Sequence, residues 1–451
     1  MSASSPAASS ASAAIAAGSV PCTTMSSWRC MPANIPYIIP EAKMAVAEKT
    51  RFAAKRGDRE LLGLCILVGL AFTAWNMASP LVPLLLLRLK ATPSLLGAIV
   101  SVSAGGSLLA AVPAGVLAGK WGSARLMRIS MALSAAACLF LAFFPSIPAL
   151  FAGLAFMEIG KIAFIVGAQA HIGNLGPDRD LSLDYGWYGM AAALGQLIGP
   201  FTAGLLMDHA GYATTWFLIT AISASVVLML PGFISDVPVE AKSADAPADA
   251  PTGGPAKRKN LRHYLNDYAI IAIIASFAVL FADGARTTFF PVLMTEFGYS
   301  ATAIGFFMSL RALVSMSVRG FMGRFIKAVG GRFPALIASI FLMAVGIGIT
   351  PFCRGYLALS LNAALVGIGL GLALPLSMAT VSEGVPPEDR ALALGIRLTG
   401  NRLAQLANPV FFGLLAQNLG FGPAFIAGGV VLVLCALPIL AWRRKLRNPA
   451  P

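Results

Sequence analysis

Seven ionisable residues stand inside stretches otherwise built of apolar side chains: Glu158, Lys161, Asp283, Arg286, Arg311, Arg397 and Arg402. A charge at the centre of a lipid-facing helix costs at least about 2.5–3.5 kcal/mol, so each needs a partner or a wet cavity. Glu158 and Lys161 are three apart, on one helix face, and Asp283 and Arg286 repeat that spacing. If both pairs close, Arg311, Arg397 and Arg402 are left over. Arg397 and Arg402 are five apart, about 140° round an ideal helix. They cannot both face one point, and one of them is expected against a loop or a helix end. A guanidinium suits bidentate binding of a carboxylate or phosphate. An anionic ligand is therefore one reading of these cations, and a buried structural ion network is the other. Glu158 and Asp283 are the only deeply embedded acids. Burial opposes their charged form and a neighbouring cation favours it, so a proton that comes and goes is one reading of each acid, and a static ion pair the other. Asn76 and Trp75 could hydrogen-bond or stack on the same ligand, or only pack between helices.

The stretches that must position these residues dominate the chain. Its 451 residues are 57% hydrophobic and 12% charged, with mean hydropathy +0.79; soluble domains carry about 25% charged residues. Six apolar runs cover roughly 60–87, 93–118, 124–144, 147–172, 184–207 and 212–234. Six more cover roughly 266–292, 302–324, 333–352, 356–380, 391–416 and 421–442. A span needs roughly 20 apolar residues. These runs are predicted helical, because lipid offers backbone groups no other partner and the alternation of a closed barrel is missing. The predicted organisation is a disordered tail over 1–59, six helices over 60–235, a linker over 236–263, six helices over 264–442 and a tail over 443–451. No charged region precedes the Ser/Ala-rich start, so a secretory signal is not indicated, and Met44 is the expected natural first residue. Of the 33 Lys and Arg, twenty-two flank one set of loops, against Arg88, Lys90 and Arg354 on the other. That asymmetry predicts both termini inside.

Other chemistries find little support. The net charge of +14 sits between apolar runs rather than in a stripe with interleaved aromatics, so no nucleic-acid partner is expected. The six cysteines are scattered without CxxC spacing, and His171, His209 and His263 lack ligand-spaced partners. No metal and no cofactor are expected. Gly115-Val-Leu-Ala-Gly119-Lys120-Trp121 has the wrong spacing for a phosphate loop and lacks its Ser/Thr. Gly367, Gly369 and Gly371 lie within an apolar run, where close packing explains them. No catalytic constellation is visible, so no enzyme is expected.

The chain repeats itself. Gln196-Leu197, Pro200, Gly204-Leu205-Leu206 and Gly211 recur 209 residues later as Gln405-Leu406, Pro409, Gly413-Leu414-Leu415 and Gly420. Gly115 and Gly122 recur 208 residues later as Gly323 and Gly330. Two related six-helix halves with a cleft between them follow.

Gly115, Leu117, Ala118, Lys120 and Gly122 match the loop pattern Gly-x-Leu-Ala-Asp-Arg/Lys-x-Gly, with Gly119 in place of Asp. Gly195, Gly199, Pro200 and Gly204 match Gly-x-x-x-Gly-Pro-x-x-Gly-Gly, with Ala203 in place of the first Gly of the last pair. In these residues the chain over about 60–442 resembles the major facilitator superfamily. The resemblance implies an all-α membrane protein of twelve transmembrane helices in two pseudo-symmetric six-helix bundles. It implies a site at the repeat interface near the midplane, lined by the first, fourth, seventh and tenth spans. The first pattern belongs to an inner latch that Gly119 puts in doubt. The second resembles antiporters and points to proton-coupled efflux of a small organic solute, anionic on the arginine reading. An importer or facilitator is the near alternative, and a non-transporting sensor a further one. Phe156 stands where many drug/proton antiporters carry Arg, four residues before Gly160. Asp236-Val-Pro-Val-Glu240 departs from the sugar-porter pattern. The expected partners are the solute, protons and the lipid of a bacterial inner membrane, with the protein as a monomer.

Overall fold

The computed structural model describes residues 41–175, 181–234, 267–383 and 390–447. By its contacts the chain divides into residues 1–52 and a compact unit of residues 53–451, which holds the spans. Of the tail expected over 1–59, residues 1–40 lie outside the described ones, and from Glu41 the chain is helical. The expected linker, 236–263, lies outside them as well.

Among the described residues every regular element is a helix. The first half holds α1 (Glu41–Arg88), α2 (Pro93–Trp121), α3 (Ser123–Phe143), α4 (Ile147–Gly173), α5 (Leu181–His209) and α6 (Gly211–Phe233). The second holds α7 (Asp267–Gly284), a π turn (Ala285–Phe289), α8 (Phe290–Glu296), α9 (Ala301–Arg319), α10 (Met322–Ala328) and α11 (Arg332–Ile349). A 3-10 turn (Thr350–Phe352), α12 (Tyr356–Glu383), α13 (Arg390–Leu419) and α14 (Phe421–Arg447) complete it. Eleven stretches among these residues are long and apolar enough to cross a membrane. The long helix outside that set is α13, which carries Arg397, Asn401, Arg402, Gln405 and Asn408 among its residues.

Local chemistry sets the helix starts. Thr92, Ser146 and Ser300 each accept a hydrogen bond from the backbone N–H three residues on, satisfying a first-turn donor, and Pro93 and Pro148 open their helices with a fixed φ. Gly122 and Gly330, repeat mates, turn the chain at φ +85 and +82, which side chains with a β-carbon rarely adopt. The predicted seventh span is one stretch, Asp267–Glu296, in which α7 runs through the π turn into α8. The predicted eighth, 302–324, ends at Arg319.

The duplication is visible as packing. In each half the second helix packs on the fourth and the third on the fourth and sixth: α2 on α4 and α3 on α4 and α6, then α9 on α12 and α11 on α12 and α14. Between the halves, α5 packs on α9 and α13 on α2. The contacts obey the repeat residue by residue. A β-carbon at Gly305 would be driven into the Pro200 carbonyl oxygen, and one at Gly204 into that of Ala301. Their mates do the same: a β-carbon at Gly97 would strike the Pro409 carbonyl oxygen, and one at Gly413 would stand 2.9 Å from that of Pro93. Bare backbones therefore touch at two related crossings, as small residues permit in membranes.

Both crossings lie at the end of the bundle bearing loops 89–92 and 297–300, which is closed. At the other end of α2, β-carbons at Gly115, Gly119 and Gly122 would meet nothing within 4 Å. Lys120 is exposed there.

Candidate functional site

A cavity of about 500 Å³ lies between the halves. From α1 come Phe72, Trp75, Asn76 and Ser79; from α2, Val100, Ser103 and Ser107; from α4, Leu154, Met157, Glu158, Lys161 and Ile165; from α5, Gln196. From the second half come Leu280 and Asp283 on α7, Thr287 in the π turn, and Asn401, Arg402, Gln405 and Asn408 on α13. The expectation that the tenth span, α12, lines it is not met; no α12 residue is in the wall, and α2, α5 and α13 contribute instead. The polar groups of α12 are spent inside its own half: Asn362 accepts from Arg286, and Ser377 from Arg397.

Glu158 and Lys161 pair through Oε1 and Nζ, with side chains 22% and 33% exposed. The expected Asp283–Arg286 pair does not form. Asp283 Oδ1 accepts from Arg311 at 2.8 Å. The π turn begins between the two residues and breaks the register that would have aligned them. Arg286 turns away and is 1% exposed. It donates to Asn362 Oδ1 at 2.9 Å and Thr350 Oγ1 at 3.4 Å, with its guanidinium 4.0 Å over the Phe290 ring. Arg311, expected to be left over, thus holds the acid.

Arg397 and Arg402 diverge as their spacing requires. Arg397 is buried between helices rather than at a helix end, donating to Ser276 at 2.8 Å and Ser377 at 3.0 Å. Arg402 lines the cavity, donates to Gln405 Oε1 at 3.1 Å and meets no carboxylate among the described residues. Asn76 lines the cavity too, its amide held on the Phe72 carbonyl at 2.8 Å. Ser103, Ser107, Gln196, Gln405 and Asn408 escaped sequence reasoning. Of these, Gln196 and Gln405 carried a signal, since both belong to the repeat and both reach the wall.

The antiporter-like pattern on α5 has two packing faces. Gly195 and Gly199 admit α1, where β-carbons would stand 2.6 Å from the Thr73 nitrogen and 2.7 Å from the Thr73 oxygen. Pro200 and Gly204 face α9 across the halves. Just beyond, Asp208 caps α9, accepting from the Ala301 and Thr302 amides at 3.2 and 2.7 Å and from Thr302 Oγ1 at 2.6 Å. These amides are first-turn donors without helical partners. Asp208→Ala is expected to speed hydrogen exchange at the first turn of α9 about tenfold, at the usual cost of a lost cap. Unchanged protection by mass spectrometry would show that Asp208 does not hold this end shut.

Two related helical halves enclose a cavity lined by charged side chains. The chain belongs to the Major Facilitator Superfamily, whose family model matches residues 64–352 and 272–451. It is 26% identical over 180 residues to a gallate transporter of Pseudomonas putida, and 26% over 163 residues to multidrug resistance protein 1 of Bacillus subtilis (strain 168). Those matches take in 39% and 35% of this chain, and only 39% and 41% of the relatives' own lengths. An uncharacterized MFS-type transporter of Yersinia pestis is 25% identical over 82% of this chain and 90% of its own. The fold is that of the nucleoside transporter NupG (TM-score 0.69, 18% identity, 85% and 98% of the two chains). It is equally that of a bacterial homolog of the human lysosomal transporter Spinster in an inward-facing, unoccupied conformation (TM-score 0.71, 14% identity, 88% and 99%).

Proposed function

We propose that this chain is a secondary active transporter that carries a small organic anion through the central cavity by alternating access, coupled to protons and working in export. The observation that carries the reading is Arg402, a cavity guanidinium with an amide for company and no carboxylate among the described residues. A cation so placed is stabilised by an anionic guest. The gallate transporter among its relatives supports an organic acid as cargo, and the multidrug resistance protein supports export. With the basic loops inside, the closed end faces outward and the cavity is reached from the cytoplasm.

Coupling falls on Asp283 and Glu158, each joined to a cation through one oxygen. Protonating Asp283 releases Arg311. A return of the π turn to α-helical register then brings Arg286 onto the face of Asp283, so that the acid exchanges cations as the halves rock. The test is transport in proteoliposomes under an imposed pH gradient. Asp283→Asn or Glu158→Gln is expected to abolish gradient-driven accumulation while solute exchange at equal pH survives. Full coupling in both variants removes the proton from the reading. Binding without flux of any tested solute would favour a sensor.

A further inference from the structure

Resting on the reading of Arg402 as the anion's partner, we infer that the solute is a hydroxylated organic acid, one that brings hydrogen-bond donors as well as its negative charge. Glu158 and Asp283 both line the cavity, and each spends a single oxygen, Oε1 on Lys161 and Oδ1 on Arg311. Glu158 Oε2 and Asp283 Oδ2 make no hydrogen bond among the described residues. Asp283 is 38% exposed, so its second oxygen is open to a guest. Carboxylate oxygens accept only, and a solute that displaces water from them must donate or leave them bare.

The donor is a hydroxyl rather than an ammonium. Glu158 and Lys161 balance, and Asp283 balances Arg311, which leaves Arg402 in the wall and Arg286 behind it as cations in excess. A second positive charge on the solute would add to that excess, whereas hydroxyls satisfy the free oxygens at no charge. The rest of the wall asks for hydrocarbon: Val100, Leu154, Met157 and Ile165 form an apolar face on α2 and α4. A compact ring that carries a carboxylate and hydroxyls meets all three demands.

Calorimetric binding to the purified full chain tests this with three probes: benzoate, 3,4-dihydroxybenzoate and the uncharged 3,4-dihydroxybenzyl alcohol. The dihydroxy acid is expected to bind about tenfold to a hundredfold tighter than benzoate, the range for hydrogen bonds to charged groups. The alcohol is expected not to bind measurably. Arg402→Gln is expected to lose the acid, and Arg402→Lys to recover part of it. Equal affinity for the two acids, both lost in Arg402→Gln, overturns the hydroxyl requirement and leaves anion transport standing. Alcohol binding that survives Arg402→Gln overturns the anion reading itself. Binding of none of the three at millimolar concentration overturns the hydroxylated ring acid.

Discussion

Valine at position 305 is expected to slow transport by tenfold to about a hundredfold in a protein that still folds and inserts. The β-carbon it adds points into the Pro200 carbonyl oxygen, an atom of the facing helix backbone that cannot rotate away. Overpacking commonly costs about 1–3 kcal/mol, at the upper end where backbone must move. In the proposed alternating-access cycle that cost falls on the closed crossing alone, because α5 and α9 part when this end opens. A bias of about 3 kcal/mol lowers the closed population about a hundredfold. A single cysteine at Ser79, in a chain otherwise free of cysteine, reports the shift. Reaction with an impermeant maleimide applied at the closed end is expected to be slow in the parent and fast in Gly305→Val. Its repeat mate Gly97→Val is expected to act alike. Gly186→Ala, where the added carbon meets nothing within 4 Å, is the neutral control. If Gly305→Val transports at the parent rate with slow labelling, the glycine crossings are packing and not a gate.

These crossings show what could be read without coordinates. Lipid forces the long apolar runs into helices, so their number and order were legible. The repeat was legible in Pro200/Pro409 and Gly204/Gly413, residues that stand at the two crossings. Their partners Gly97 and Gly305 were not singled out, because glycine in an apolar helix is commonplace until its neighbour is known. The embedded charges announced themselves by their cost, and Glu158–Lys161 by spacing within unbroken helix. Asp283–Arg286 misled because spacing assumes α-helical register, and no residue type marks the π turn at Ala285–Phe289. The polar shell was hidden for a different reason. Asn362, Thr350, Ser276 and Ser377 are ordinary helix residues, and their role exists only because Arg286 and Arg397 reach across to them.

That shell makes Arg286 the sharpest test of the switch proposed for the seventh span. Arg286→Met is expected to hold or raise the thermal midpoint by a few degrees, while transport falls about tenfold or more. A buried guanidinium with no carboxylate carries an uncompensated desolvation cost of several kcal/mol, which an apolar chain of similar length avoids. The change takes a donor from Asn362 Oδ1, which keeps Thr350 Oγ1 at 3.4 Å, while Thr350 and Asn362 keep their own donations to the Gly346 carbonyl at 2.7 Å. On stability alone, then, Arg286 is a poor choice of residue, and a charge kept at a cost in a moving helix points to use. In the proposed cycle that use is as the second cation for Asp283. Without it the acid has only Arg311 to hold, and the coupling between protonation and the rocking of the halves is lost; coupling of this kind spans about 1–3 kcal/mol, or about 5–150-fold. Arg286→Lys retains the charge and is expected to keep part of the transport. Should Arg286→Met unfold at lower temperature and still transport at the parent rate, the cation is structural and Asp283 has one partner throughout the cycle.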